Sequence, residues 1–166
     1  NYDIIVYGGT SAGLTAAIQA KKMGKDVLVI EPSSRIGGLT AGGLGDTDTG
    51  NTESIGGIAR EFYTKIGEKY GKDEPVWKFE PKIALEVFKE WLEALSIPVI
   101  YNERLDRKEG VKKTNNKITS IQMESGKIFY GKIFIDATYE GDLMATSGIS
   151  YFIGRESNSK YNETLN

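Results

Sequence analysis

Apolar residues follow two rhythms along this chain, and the switches between them mark its elements. Ile4, Ile5 and Val6 form a short unbroken run, as expected of a parallel strand covered on both faces. Glycines follow at 8, 9 and 13, and Leu14, Ala17 and Ile18 then recur at helical spacing within Ser11 to Lys22. Gly24 is placed to end that helix in a left-handed conformation. Asp26 to Ile30 carries a second continuous run, Val27-Leu28-Val29-Ile30, and Glu31 closes it. Tyr2 to Glu31 therefore reads as strand, glycine turn, helix and second parallel strand.

Residues 32–57 break both rhythms. The stretch PSSRIGGLTAGGLGDTDTGNTESIGG is polar and glycine-dense and reads as one long loop, a length that is more often functional than idle. Helical spacing returns from Ile58 to Tyr70, where Ile58, Phe62, Ile66 and Tyr70 share a stripe ahead of Gly71. It returns again from Pro81, a residue suited to a first helical position, to Leu95, through Ala84, Phe88 and Trp91. Core packing is the ordinary role of such aromatic stripes.

Ser96-Ile97-Pro98 ends this helix, and Val99 to Tyr101 reads as the third parallel strand. Three short strands are expected at Arg104 to Lys112, Lys117 to Glu124 and Lys127 to Tyr130, with turns at Thr114-Asn115-Asn116 and Ser125-Gly126. Such short connections specify an antiparallel meander. A separate buried strand at Ile133-Phe134-Ile135 and a short helix from Asp142 to Ser147 complete the pattern. The fold class is α/β: a Rossmann-like domain with a parallel sheet, helices on both faces and a small antiparallel β-meander. Residues 1–154 form the domain, and 155–166 are a polar tail with too few apolar residues to close a core.

Composition narrows the chemistry. Across 166 residues the net charge is -2, which gives no electrostatic case for nucleic acid or an anionic membrane. No apolar stretch approaches the roughly 20 residues of a membrane span. Cys 0 and His 0 exclude a thiolate nucleophile, an imidazole base and the commonest metal ligands, and no metal site is expected. Chemistry must come from carboxylates, Tyr, Lys, Arg, backbone dipoles or a borrowed cofactor.

The glycine turn supplies the first candidate site. Gly8-Gly9-Thr10-Ser11-Ala12-Gly13 follows a strand and opens a helix, whose unpaired N–H groups and positive dipole end suit a pyrophosphate. It departs from G-x-G-x-x-G in having Thr10 at the second glycine position. Thr10 either shifts the approach of the phosphates or donates its hydroxyl to them directly. Glu31 lies eighteen positions beyond Gly13, where an acid can accept hydrogen bonds from a ribose. A second motif, Arg35-Ile36-Gly37-Gly38-Leu39-Thr40, follows directly after Pro32. Its glycines would let backbone N–H groups press against another face of a cofactor, while Arg35 could shield phosphate or stack near adenine. The alternatives are a structural glycine turn and a flexible entry to the next helix.

VYGGTSAG, VIEPSSRIGG and the later FIDATYEGDLMA, taken in that order, resemble the FAD-dependent oxidoreductase family with the glutathione-reductase-like, two-dinucleotide-binding-domain flavin fold. Among its members the chain looks most similar to bacterial proteins labelled xanthan lyase. The resemblance spans almost the whole chain and implies non-covalent FAD as cofactor. It implies that Gly8, Gly9, Thr10, Ser11, Ala12 and Gly13 surround the pyrophosphate and that Glu31, with Pro32 beside it, meets the adenosine ribose. Arg35, Gly37, Gly38, Leu39 and Thr40 would line the cofactor, and Leu105, at the start of the meander, would touch adenine. Ala137, Thr138 and Asp142 would lie near the ribityl and pyrophosphate region, although this chain has Tyr139 where related flavoproteins carry glycine. Helix capping is the alternative role for Asp142.

The expected function is hydride or electron transfer through FAD to a small-molecule substrate that these residues do not identify. Thr40, Asp46 and Asp48 are flavin-side candidates, and no residue is assigned a catalytic role. The alternatives are an NAD-linked dehydrogenase, for which Glu31 would favour NAD, and a nucleotide-binding module without turnover. By the resemblance, the chain is expected to be the N-terminal part of a larger, extracytoplasmic bacterial enzyme whose substrate domain lies beyond Asn166, and by itself to be inactive.

Overall fold

The computed structural model describes residues 1–164; Leu165 and Asn166, the end of the expected polar tail, lie outside the described residues. In chain order the elements are β1 (Tyr2–Tyr7), α1 (Ser11–Lys22), β2 (Val27–Glu31), α2 (Gly38–Gly42), α3 (Gly57–Lys69), α4 (Pro81–Ala94), β3 (Val99–Tyr101), β4 (Val111–Thr114), β5 (Lys117–Gln122), β6 (Ile128–Asp136) and α5 (Asp142–Thr146). Six strands form one sheet in the order β3-β2-β1-β6-β5-β4. Pairings among β3, β2, β1 and β6 are parallel, and those of β6 with β5 and β5 with β4 are antiparallel.

Alternation along the strands sorts side chains onto two faces. Val6, Val27 and Val29 point to the layer of α1 to α4 and join Leu14, Ile18, Phe62, Ile66, Phe88 and Trp91 in one core. Ile5, Tyr7, Leu28 and Ile30 point the other way and join Leu105, Ile121, Met123 and Leu143 in a second. Helices thus lie on both faces, but unequally. The second face is covered mainly by the meander, with only the five-residue α5 beside it. β2 is buried at every position, which explains its unbroken apolar run.

Three sequence expectations need revision. The predicted strands at Lys127 to Tyr130 and Ile133 to Ile135 are one strand, β6, which changes partner along its length. Its first residues pair with β5, whereas those from Gly131 pair with β1. Gly131 marks the change: a Cβ there would stand 3.0 Å from Ile5 Cδ1, so the missing side chain lets β6 lie close against β1. The predicted strand from Arg104 to Lys112 begins only at Val111. Before it, Leu105 makes a single antiparallel bridge with Met123, and Gly110 N–H donates to Asp106 O at 2.8 Å in a turn. Finally, the long loop contains α2 and a short 3-10 turn at Thr52–Ser54. The type I′-like Asn115-Asn116 turn has the positive φ angles that favour Asn (49° and 63°).

Candidate cofactor-binding site

The carboxyl ends of β1, β2 and β6 open onto a cleft of about 610 Å³ lined by residues from all three motifs, including Gly8, Thr10, Glu31, Arg35, Gly38, Thr138 and Asp142. Open α/β sheets place ligands at this edge. Pro32, Leu105 and Tyr139, all named from the sequence, also line it, together with Tyr7, Ser33, Arg104, Arg107, Glu124 and Glu140, which the sequence reading did not single out.

The glycines let the walls meet. A Cβ on Gly13 would stand 1.9 Å from Gly8 O and 3.1 Å from Ala137 Cβ, so only glycine allows α1 to start this close to β1 and β6. Gly8 holds φ at +102°, and a Cβ there would stand 2.7 Å from Thr138 N.

Glu31, only 8% exposed, fixes the first turn against β2. Its Oε2 accepts the Gly9 N–H at 2.7 Å and its Oε1 the Ser33 N–H at 2.7 Å. Each oxygen keeps a lone pair for a ligand hydroxyl. Tyr101 is its register partner on β3. Burial, and then the Glu31 charge, raises the Tyr101 phenol above its ordinary pKa.

Thr10 resolves its two sequence-level alternatives. It is the N-cap of α1: Oγ1 accepts the Gly13 N–H at 3.2 Å and donates to Ala137 O at 2.6 Å. Direct donation to phosphate is therefore corrected, because a hydroxyl has one proton and Ala137 takes it. Gly13 and Leu14 N–H are both satisfied by Thr10. Among the described residues, the first-turn donors left over are those of Ser11 and of Ala12, which is exposed.

The second motif is stitched to the first. Gly37 N–H donates to Gly9 O at 2.7 Å, and Ser11 Oγ donates to Gly37 O at 3.2 Å while the Thr40 hydroxyl, 2.6 Å away, donates to Ser11 Oγ. Arg35 Nη2 donates to Ala41 O at 2.6 Å, tying the guanidinium to α2. Leu39 N–H donates to the Tyr139 hydroxyl at 2.8 Å, so the tyrosine that replaces the expected glycine joins the second motif to the third. Asp46 instead pairs with exposed Lys78 at 2.9 Å. Neither Asp46 nor Asp48 is among the cleft-lining residues.

In the third motif the organiser is Asp136. Its Oδ1 accepts from Thr138 N at 3.0 Å and Thr138 Oγ1 at 2.7 Å, and its Oδ2 accepts the Met144 N–H at 2.8 Å. The capping role considered for Asp142 is thus corrected. Gly141 is the N-cap of α5, the Asp136 carboxylate satisfies an N-terminal donor, and Asp142 faces Arg107 Nη1 at 3.9 Å. A carboxylate at the end of an apolar strand and shortly before a short helix was the available signal for Asp136.

A family model described as FAD dependent oxidoreductase matches residues 3–166. The fold is similar to that of L-proline dehydrogenase from P. horikoshii, with a TM-score of 0.63 and 19% identity over 92% of this chain and 57% of that chain. It is also similar to the flavin-dependent brominase Bmp2, with a TM-score of 0.64 and 17% identity over 89% of this chain and 40% of that chain. In sequence, 39 residues are 49% identical to the Dictyostelium discoideum protein named "Probable flavin-containing monoamine oxidase A", covering 24% of this chain and 9% of that protein. The chain thus spans a little over half the length of the dehydrogenase and under a tenth of the oxidase.

Proposed function

The chain belongs to the FAD dependent oxidoreductase family, and on that premise we propose that it is the FAD-binding portion of a flavoenzyme passing a hydride or electrons between its cofactor and a small molecule. The observation that carries this reading is the convergence of three motifs, far apart in sequence, on one cleft at the carboxyl end of the sheet. A volume of about 610 Å³ falls in the usual range of cofactor sites.

The residues present fit FAD chemically. Ser11 and Ala12 N–H groups at the start of α1 suit the pyrophosphate, and the remaining lone pairs of Glu31 suit the ribose hydroxyls. Thr138 and Asp142 belong to the ribityl side, and Arg104 and Arg107 offset phosphate charge. Bound FAD would supply the redox chemistry. The chain's own part would be to hold the dinucleotide in the cleft and to shield its adenosine end between β2 and the meander.

The likeness to bacterial members labelled xanthan lyase belongs to the same reading, with one adjustment: polysaccharide β-elimination needs no flavin, so the proposed reaction is redox. Substrate recognition is assigned to residues matching the part of the dehydrogenase that this chain does not span. The test is a visible absorption spectrum of gently purified protein, followed by titrations with FAD, NAD and NADP. Yellow protein, or saturable quenching of FAD fluorescence, is the expected result. Tight NAD binding without any response to FAD would overturn the reading.

A further inference from the structure

β1 is aliphatic through Ile4, Ile5 and Val6 and then ends on a phenol, Tyr7, which is 3% exposed. Burying a hydroxyl is costly unless its hydrogen bonds are made, and a phenylalanine would pack against Ile5, Leu28 and Leu105 without that cost. The Tyr7 oxygen accepts the Leu105 N–H at 2.9 Å. Among the described residues, nothing accepts its proton. The side chain lies on the meander face and lines the cleft with Glu31, Leu105, Arg107 and Asp142. Its register partner is Asp136. Burial first, and then the charges of Asp142, Asp136 and Glu140, push its pKa up, so at neutral pH the group is a donor.

Resting on the reading above, we propose that the Tyr7 hydroxyl donates a hydrogen bond to the adenosine-diphosphate half of the cofactor and so helps to set which ligand the cleft accepts. Leu105 N–H holds the phenol oxygen in place, and the unspent proton is left for an acceptor in the cleft. Glu31 and Leu105, read as ribose and adenine contacts, and Arg107, read as a phosphate contact, put that acceptor on the adenosine-diphosphate half, with Asp142 marking where the ribityl side begins.

The test compares wild-type protein and Tyr7→Phe in titrations with FAD, ADP, adenosine and FMN, alongside thermal unfolding of the free proteins. Losing one neutral hydrogen bond should weaken FAD and ADP by roughly three- to tenfold and leave FMN unchanged. An effect that persists with adenosine supports a base or ribose acceptor; one seen with ADP but not adenosine supports a phosphate oxygen. Equal affinity of both proteins for FAD and ADP overturns the proposal, as does a parallel loss for ADP and FMN, which would mark a purely structural defect. Wild-type protein that binds neither FAD nor ADP instead overturns the underlying functional reading. If the variant fails to fold, 3-fluorotyrosine placed at position 7 provides the second measurement. Its fluorine resonance should move with ADP and not with FMN, and the opposite pattern overturns the proposal.

Discussion

Glu31 Oε2 accepts the Gly9 N–H at 2.7 Å across twenty-two positions of sequence. The acid expected to meet a ribose is therefore also part of the scaffold that shapes the phosphate turn. Replacing it by Ala leaves the N–H groups of Gly9 and Ser33 without their acceptor. Glu31→Ala is expected to lower folding stability by about 1–3 kcal/mol, the penalty for orphaning the buried Gly9 donor, because the exposed Ser33 N–H can turn to water. FAD affinity should weaken by a further 1.5–3 kcal/mol or so, the scale of a hydrogen bond to a charged group. Denaturant melts and FAD titrations on the same preparation separate the two effects. Unchanged stability would show that the two backbone contacts carry no weight.

Gly13 and Gly42 make a controlled pair. A Cβ on Gly13 collides with the Gly8 carbonyl, whereas one on Gly42 meets nothing within 4 Å among the described residues. Gly13→Ala should cost about 3 kcal/mol, the upper end for overpacking, and Gly42→Ala should gain about 0.4–1 kcal/mol by restricting the unfolded chain. Similar urea midpoints for the two variants would contradict the packing argument.

Thr10 caps α1 and holds Ala137 with one hydroxyl. Thr10→Val keeps the shape and removes both bonds, at an expected cost of about 1–2 kcal/mol, while Thr10→Ser should recover most of it. The check is thermal unfolding of the two variants beside wild type. A valine variant as stable as wild type would mean that the cap is dispensable.

The sequence made these glycine positions legible because a turn between a buried apolar run and a helical stripe has few physical solutions. The extent of α1, Ser11–Lys22, could be read directly for the same reason. α2 was not legible: it is five residues containing two glycines, a poor helix former held by Arg35 and Tyr139 and, at its Gly37 N-cap, by Gly9. β6 was divided because Gly131-Lys132 interrupts its apolar pattern at the point where it changes partner. Tyr7 was hidden because a phenol at the end of an aliphatic strand looks like ordinary core until its hydroxyl is seen beside the cleft.

Glu103 sets an acid limit on stability. It is 4% exposed, and the Lys127 ammonium first, with the Ser125 hydroxyl next, holds its carboxyl below the usual carboxylate range. A depressed folded pKa adds stability above the unfolded value of about 4.3, and that contribution is lost as pH falls from there through the folded value. Glu103→Gln should flatten this acid limb in denaturant melts between pH 7 and pH 3. Parallel decline of wild type and variant would assign the limb to other carboxylates.

Asp136 and Thr138 should behave as one unit. Asp136 Oδ1 receives both the N–H and the hydroxyl of Thr138, and Thr138 Oγ1 in turn accepts the Gly141 N–H at 3.0 Å just before α5. On its other oxygen Asp136 holds Met144, so a single carboxylate fixes both ends of the turn that carries Asp142 to the cleft. An amide can serve only one of those sides as acceptor and must turn its NH₂ toward the donors of the other. Asp136→Asn is therefore expected to cost about 1–3 kcal/mol and to weaken FAD binding through the displaced turn. Thr138→Val removes the hydroxyl from the same network, so its effect should be largely contained in that of Asp136→Asn. A double-mutant cycle should show a coupling of about 0.5–3 kcal/mol, the range for residues sharing one network. Strict additivity in both stability and FAD affinity would mean that the two side chains act separately, leaving the turn to be held by its backbone alone.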